Sequence, residues 1–155
     1  MRTLIHATIL GLVLAAASCA AGSKPPETKP SAKAPDAPPA AASLLANTRW
    51  TVEDIAGREA MDRVEATLVF DGQGGVSGSG SCNQFHGTAT VTGASITFGA
   101  FSVTRMACLA AINEQESVYL EALSRADRFE IEEPFLIIQL KGGDEPLRFI
   151  RASHQ

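Results

Sequence analysis

No stretch of this 155-residue chain is apolar for long enough to cross a bilayer as a helix. Such a span needs roughly 20 residues, and the longest apolar run, Leu4 to Ala17, is shorter and is interrupted by His6 and Thr8. Runs of basic residues are missing too. Between residues 43 and 155, 9 Lys and Arg stand against 15 Asp and Glu, a balance of −6. That excess speaks against nucleic acid and against direct electrostatic attachment to anionic lipid. Cysteine is scarce, at 3, and forms no C-x-x-C element, so Cys82, His86 and Cys108 make a poor zinc set. No Gly-Lys-Ser/Thr follows Gly78, Gly80 and Gly87, and their flanks read as strands, so they make no phosphate loop. The sequence asks for no metal and no cofactor, and its length allows one domain rather than two.

What is present begins with an export signal. Arg2 precedes the Leu4–Ala17 run, which ends in Ala15-Ala16-Ala17-Ser18 directly before Cys19. LAAASC resembles the bacterial lipobox, in which the signal is cut before a cysteine that then carries lipid; Ala16 departs from it, since leucine is commonest there. The resemblance implies a signal peptide at 1–18, lipidation of Cys19 and, with Ala20 next, sorting to the outer membrane. An ordinary secreted protein cut near Ala17 or Ala20 is the alternative. Residues 19–42 then read as the lipidated cysteine and a tether: Ala20 to Ala42 holds six of the eight prolines and no side chain able to offset the entropy of ordering. Such a chain is a semi-rigid spacer reaching at most roughly 70 Å. A docking segment for a proline-recognising module competes, without an aromatic or arginine-flanked PxxP core to support it.

Residues 43–155 carry the domain, and alternation marks its strands. Trp50 to Ile55 is the first; Glu65 to Phe70 places Ala66, Leu68 and Phe70 on one face before the turn former Asp71-Gly72. Val76 to Ser79, Gly87 to Val91 and Ser95 to Phe98 follow, then Arg128 to Glu132, Phe135 to Leu140 and Leu147 to Arg151. The short connections fit an antiparallel meander. One segment has helical period: Ile112, Tyr119, Leu120, Leu123 and Ala126 recur on one face, with Glu116, Glu121 and Arg125 free to meet water. Asn113 with Glu116 fits a capping box, and Leu109 to Ile112 fits an earlier turn of the same helix equally well.

The segments GSGSCNQFHG (78–87), ITFGAFSVTRMAC (96–108), ESVYLEAL (116–123) and LRFIR (147–151), with Trp50 and the Leu68-Val69-Phe70 strand, together resemble the META domain, also called the HslJ-like or DUF306 family. The resemblance implies an α+β fold: a small, strongly curved antiparallel sheet, a barrel-like meander, with one packed helix. Members include bacterial envelope and heat-shock-associated proteins and secreted or virulence-linked parasite proteins. They supply no agreed catalytic activity. Ser81 departs from the pattern, standing where a second glycine is usual, and His86 occupies a position at which the family varies.

With Cys19 taken by lipid, Cys82 and Cys108 form an even pair in an oxidising compartment. Each lies in one of the two family motifs, which implies that the motifs are neighbours and the sulfurs bonded; two nearby thiols are the alternative. A chemical reading makes Cys82 a nucleophile, His86 its base and Asn83 the orienting group of a cysteine-dependent hydrolase. It needs a reduced thiol and a helix-like juxtaposition that the glycines disfavour. In the structural reading Gly78, Gly80 and Gly87 allow close backbone approach or positive φ, and Asn83 bonds to the backbone of the bend. Phe85 then turns inward, and within Thr104-Arg105-Met106 the arginine pins the second motif through carbonyls or an acid. Asn83 and Arg105 exposed together would instead make a recognition patch. The expected core is Trp50, Leu68, Phe70, Phe98, Leu120 and Leu123, Trp50 being an anchor rather than a ligand platform. The sequence thus describes a non-catalytic lipoprotein domain held to the outer membrane by lipid and facing the periplasm. Its role is to bind an envelope protein or small ligand, or to serve structure or stress protection.

Overall fold

A computed structural model of the chain describes residues 40–152. The signal at 1–18, Cys19 and the tether up to residue 39 lie outside the described residues. The order of elements is α1 (Ala40–Leu45), β1 (Thr48–Ile55), β2 (Thr67–Phe70), β3 (Gly75–Ser79), β4 (Gln84–Thr92), β5 (Ser95–Phe98), β6 (Ser102–Val103), α2 (Ala110–Ser124), β7 (Ala126–Glu132), β8 (Phe135–Leu140) and β9 (Leu147–Arg151).

Every strand pairing is antiparallel, and chain neighbours pair in turn from β1 to β5 and from β7 to β9. β5 meets β7 at Ser95↔Arg128, and β9 returns to β1 with Trp50↔Arg151 and Ile55↔Leu147. The meander therefore closes on itself as a ring of eight strands, with β6 added along β4 at Phe85↔Val103. Closure removes the open edges that an unclosed sheet would offer to other chains. Turn chemistry sets the corners. The Asp71 carboxylate accepts from the N–H of Gln73 and of Gly75, at 2.7 and 2.8 Å, while Gly72 and Gly74 take positive φ.

Alternation delivers one face of each strand to the interior. Ala66, Leu68 and Phe70 are buried together, as are Leu136, Ile138 and Leu140, and Leu147 with Phe149. Trp50 is wholly buried and donates its indole N–H to Thr48 Oγ1 at 2.8 Å, with the Arg151 guanidinium lying over its ring. Leu123 is fully buried, whereas Phe98 and Leu120 are half-buried against the core. α2 packs Tyr119 edge-on to Phe85 and beside Phe149, and the Tyr119 hydroxyl donates to Thr67 O at 3.2 Å. Side chains fill the interior of the barrel, as eight-stranded barrels allow.

Four local expectations are corrected. A second helix, α1, precedes the barrel and buries Leu45; alanine-rich composition concealed it. β4 begins at Gln84 rather than Gly87, because Gln84 to Thr88 pairs residue for residue with β3. Of the two helix starts left open, the earlier is the one observed, with α2 beginning at Ala110 after Leu109 and no side-chain cap there. Asn113 gives its amide N–H to Cys108 O at 3.2 Å, so the capping box is not formed. Finally, Glu116 does not face water: it is 8 % exposed.

Candidate functional site

The segment GSGSCNQFHG is a hairpin. Gly78 and Ser79 end β3, Gln84 begins β4, and Gly80 N–H donates to Asn83 O at 2.7 Å across the turn between them. None of Gly78, Gly80 and Gly87 has positive φ; each is where a neighbour comes too close for a Cβ. At Gly78 the added carbon would lie 2.0 Å from Thr67 O, and at Gly80 it would lie 2.6 Å from Glu116 Oε2. The left-handed residue of the turn is Ser81, with φ 103°, and backbone sterics there favour glycine.

Glu116 is the centre of this turn. Its Oε2 accepts from the backbone N–H of Asn83 at 2.6 Å and of Cys82 at 3.2 Å, and its Oε1 accepts from Asn83 Nδ2 at 2.7 Å. A buried carboxylate is tolerated when several donors converge on it in this way. Asn83 then passes the connection on. Its Oδ1 accepts from the Met106 N–H at 2.7 Å and from Thr104 Oγ1 at 3.0 Å, and Thr104 Oγ1 accepts from the Gln84 N–H at 3.1 Å. The Cys82–Cys108 disulfide, with Cα atoms 6.1 Å apart, ties the same two segments covalently. Gln115 extends the network, donating to Ser81 Oγ at 2.8 Å and accepting from the Met61 N–H at 2.7 Å. Hairpin, β6–α2 loop and helix are thus held at one point.

Two expected roles change hands. Asn83, 6 % exposed, is buried and bonds to the second motif rather than to its own bend, so it does not share a surface patch with Arg105. Arg105 is exposed and pins nothing among the described residues; Asn83 does that work. Phe85 is buried and stacks edge-on with Phe101. His86 is exposed on β4, opposite Ser77 and Ser102, and the sulfur of Cys82 is committed to Cys108. The hydrolase reading therefore has no free thiol to act with. Among the described residues no group of three or more His, Cys, Asp or Glu side chains is placed to hold a metal.

The loop that the clasp holds is exposed. Met106 is 63 % and Leu109 74 % accessible, with Val103 at 37 %. The sequence reading missed Glu116 and Gln115. The signal for Glu116 was its phase: positions 116, 119 and 123 share one helical face, so the period that buried Tyr119 and Leu123 also buried the acid.

The family model described as META domain matches residues 43–154. Among solved structures, an NMR structure of a protein from Burkholderia xenovorans is similar at 29% identity and TM-score 0.62, covering 84% of this chain and 99% of that one. A second NMR structure is similar at 22% identity and TM-score 0.58, covering 70% of this chain and 92% of its own. A crystal structure of a DUF4847 family protein from Bacteroides vulgatus is similar at 16% identity and TM-score 0.55, covering 74% and 99%. The last two bear on the fold alone. No curated protein matches the chain.

Proposed function

Because this chain belongs to the META domain family, we propose that it works without turnover, as an envelope domain that recognises a partner through the loop its clasp holds out. One observation carries the reading. The Met106 N–H is fixed at 2.7 Å on a buried asparagine, while the Met106 side chain is 63 % exposed. A backbone held this firmly beneath solvent-facing apolar side chains lowers the ordering cost of binding. Exposed apolar residues gathered on one segment are the feature expected of an interaction site.

The lipid anchor at Cys19, the outer-membrane location and a tether from there up to α1 belong to the same reading, supported by the LAAASC sequence and the six prolines between residues 20 and 39. Among the described residues no helix is long and apolar enough to cross a membrane. In this account the tether sets the reach and the β6–α2 loop supplies the contact.

The test is photo-cross-linking in cells, with a photoreactive residue at Met106 or, as control, at the exposed Glu121 of α2. A discrete adduct at position 106 that is absent at 121 is the expected result. Equal, diffuse labelling at both positions would overturn the reading.

A further inference from the structure

α2 has a second face beside the one that packs Tyr119 and Leu123 into the core. Ala111, Glu114, Gln115 and Val118 recur at i, i+3, i+4 and i+7, so they line one side of the helix. That side meets the connection between β1 and β2, and the two leave a cleft of about 230 Å³ between them. Ile55, 2 % exposed, and half-buried Val118 give it an apolar floor, with Ala111 and Met61 alongside. Arg58 and Glu59 stand at the rim on one wall and Glu114 on the other.

Both walls are held in place by the fold itself. Ile55 and Arg58 exchange backbone hydrogen bonds at 2.7 and 3.2 Å around a two-residue turn in which Ala56 and Gly57 both take positive φ. The chain then folds back on β1, with the Ala60 N–H donating to Glu53 O at 2.9 Å. Gln115 ties the helix to this wall, accepting from the Met61 N–H at 2.7 Å while it donates to Ser81 Oγ. The charged groups are not committed in this way. Arg58 Nη1 and Glu114 Oε1 are 3.9 Å apart, with side chains 71% and 73% exposed. A pair so long and so open to water is parted at little cost.

We propose that this cleft binds a free α-amino acid with an aliphatic side chain. The side chain enters between Ile55 and Val118, the carboxylate takes the Arg58 guanidinium, and the ammonium takes Glu114 and Glu59. Opposite charges on opposite walls of one apolar cleft match the two ends of a zwitterion, and each exchanges a weak partner for a charge-assisted hydrogen bond. A fatty acid would answer Arg58 alone, and a simple amine the glutamates alone. Size sets the upper limit: sites for drug-sized ligands measure roughly 300–1,000 Å³, so this one admits a single small molecule. The cleft shares no lining residue with the β6–α2 loop, so this inference and the display reading stand or fall separately.

Full-length protein labelled at its isoleucine and valine methyls is titrated with leucine, valine and methionine and followed by NMR. The Ile55 and Val118 signals are expected to shift saturably. Glycine lacks the apolar group, leucinamide the carboxylate and isocaproate the ammonium; each should bind at least about tenfold more weakly than leucine. Arg58→Ala should bind leucine no better than leucinamide, and Glu114→Ala should narrow the preference for leucine over isocaproate. Ala111→Leu should fill the cleft and abolish the shifts. All three substituted positions are exposed, so folding is not at stake. The proposal is overturned if none of the three amino acids gives a saturable shift, or if glycine, leucinamide or isocaproate binds as tightly as leucine. Unchanged leucine binding in both Arg58→Ala and Glu114→Ala would overturn it equally.

Discussion

Replacing Glu116 by alanine removes an acceptor that three N–H groups share: Asn83 N, Asn83 Nδ2 and Cys82 N. A hydrogen bond to a charged group contributes about 1.5–3 kcal/mol, so the gross loss is about 4.5–9 kcal/mol. Part is returned, because the variant no longer desolvates a carboxylate and water can reach some of the orphaned donors. A net destabilisation of about 3–5 kcal/mol remains, because up to three N–H donors in a buried site lose their acceptor, each at about 1–3 kcal/mol. Domains of this size hold about 5–15 kcal/mol in all, and the corresponding fall in Tm is about 12–25 °C. Thermal unfolding followed by far-ultraviolet circular dichroism, on oxidised protein, measures it. Glu121→Ala, on the exposed side of the same helix, is the control and should cost under about 0.5 kcal/mol. Combining Glu116→Ala with Asn83→Ala should lose less than the sum of the two by about 1–3 kcal/mol, since both cut one network. If Glu116→Ala shifts Tm no more than Glu121→Ala, the carboxylate is not what holds the three segments together.

Other expectations can be checked alongside. Cys82→Ala with Cys108→Ala opens a loop of 26 residues and should cost about 3.5 kcal/mol in urea unfolding on the chain-entropy account. Non-reduced native protein should take up no alkylating agent at either position. Gly80→Ala drives a methyl against the carboxylate of Glu116 and should cost about 1–3 kcal/mol; Gly78→Ala meets the Thr67 carbonyl and should exceed that range. Burial raises the pKa of Tyr119 well above the ordinary phenol value. Its contribution to stability is therefore full below the unfolded pKa of about 10 and falls as pH rises from there toward the folded pKa. Tyr119 is the only tyrosine, so phenolate absorbance should appear together with unfolding. Tyr119→Phe should flatten the alkaline limb while losing about 1 kcal/mol at neutral pH with the bond to Thr67.

Much of the barrel was legible because its signals are local. Ala66, Leu68 and Phe70 alternate into the core, and Asp71-Gly72 announces the turn that Asp71 then builds with its own carboxylate. The disulfide followed from family motifs, and its partners do lie together. What escaped was decided by tertiary partners. Residue type placed Glu116 on the surface, although its helical phase pointed inward, because nothing local shows that three donors from a hairpin 33 residues earlier will meet it. Gln84 and Phe85 read as part of a bend because glycines surround them, yet pairing with β3 makes them strand. Arg105 looked like the residue that would pin its loop; the uncharged Asn83 does so instead, since its amide can donate to Glu116 and accept from Met106 at once.

The account turns on a loop whose backbone is fixed while its side chains face solvent. Amide hydrogen exchange at Met106 tests this most directly. The account predicts that the Met106 N–H exchanges far more slowly than an exposed peptide despite its accessible side chain, and that Asn83→Ala abolishes that protection. Exchange at the rate of an unstructured peptide in the native protein would contradict it.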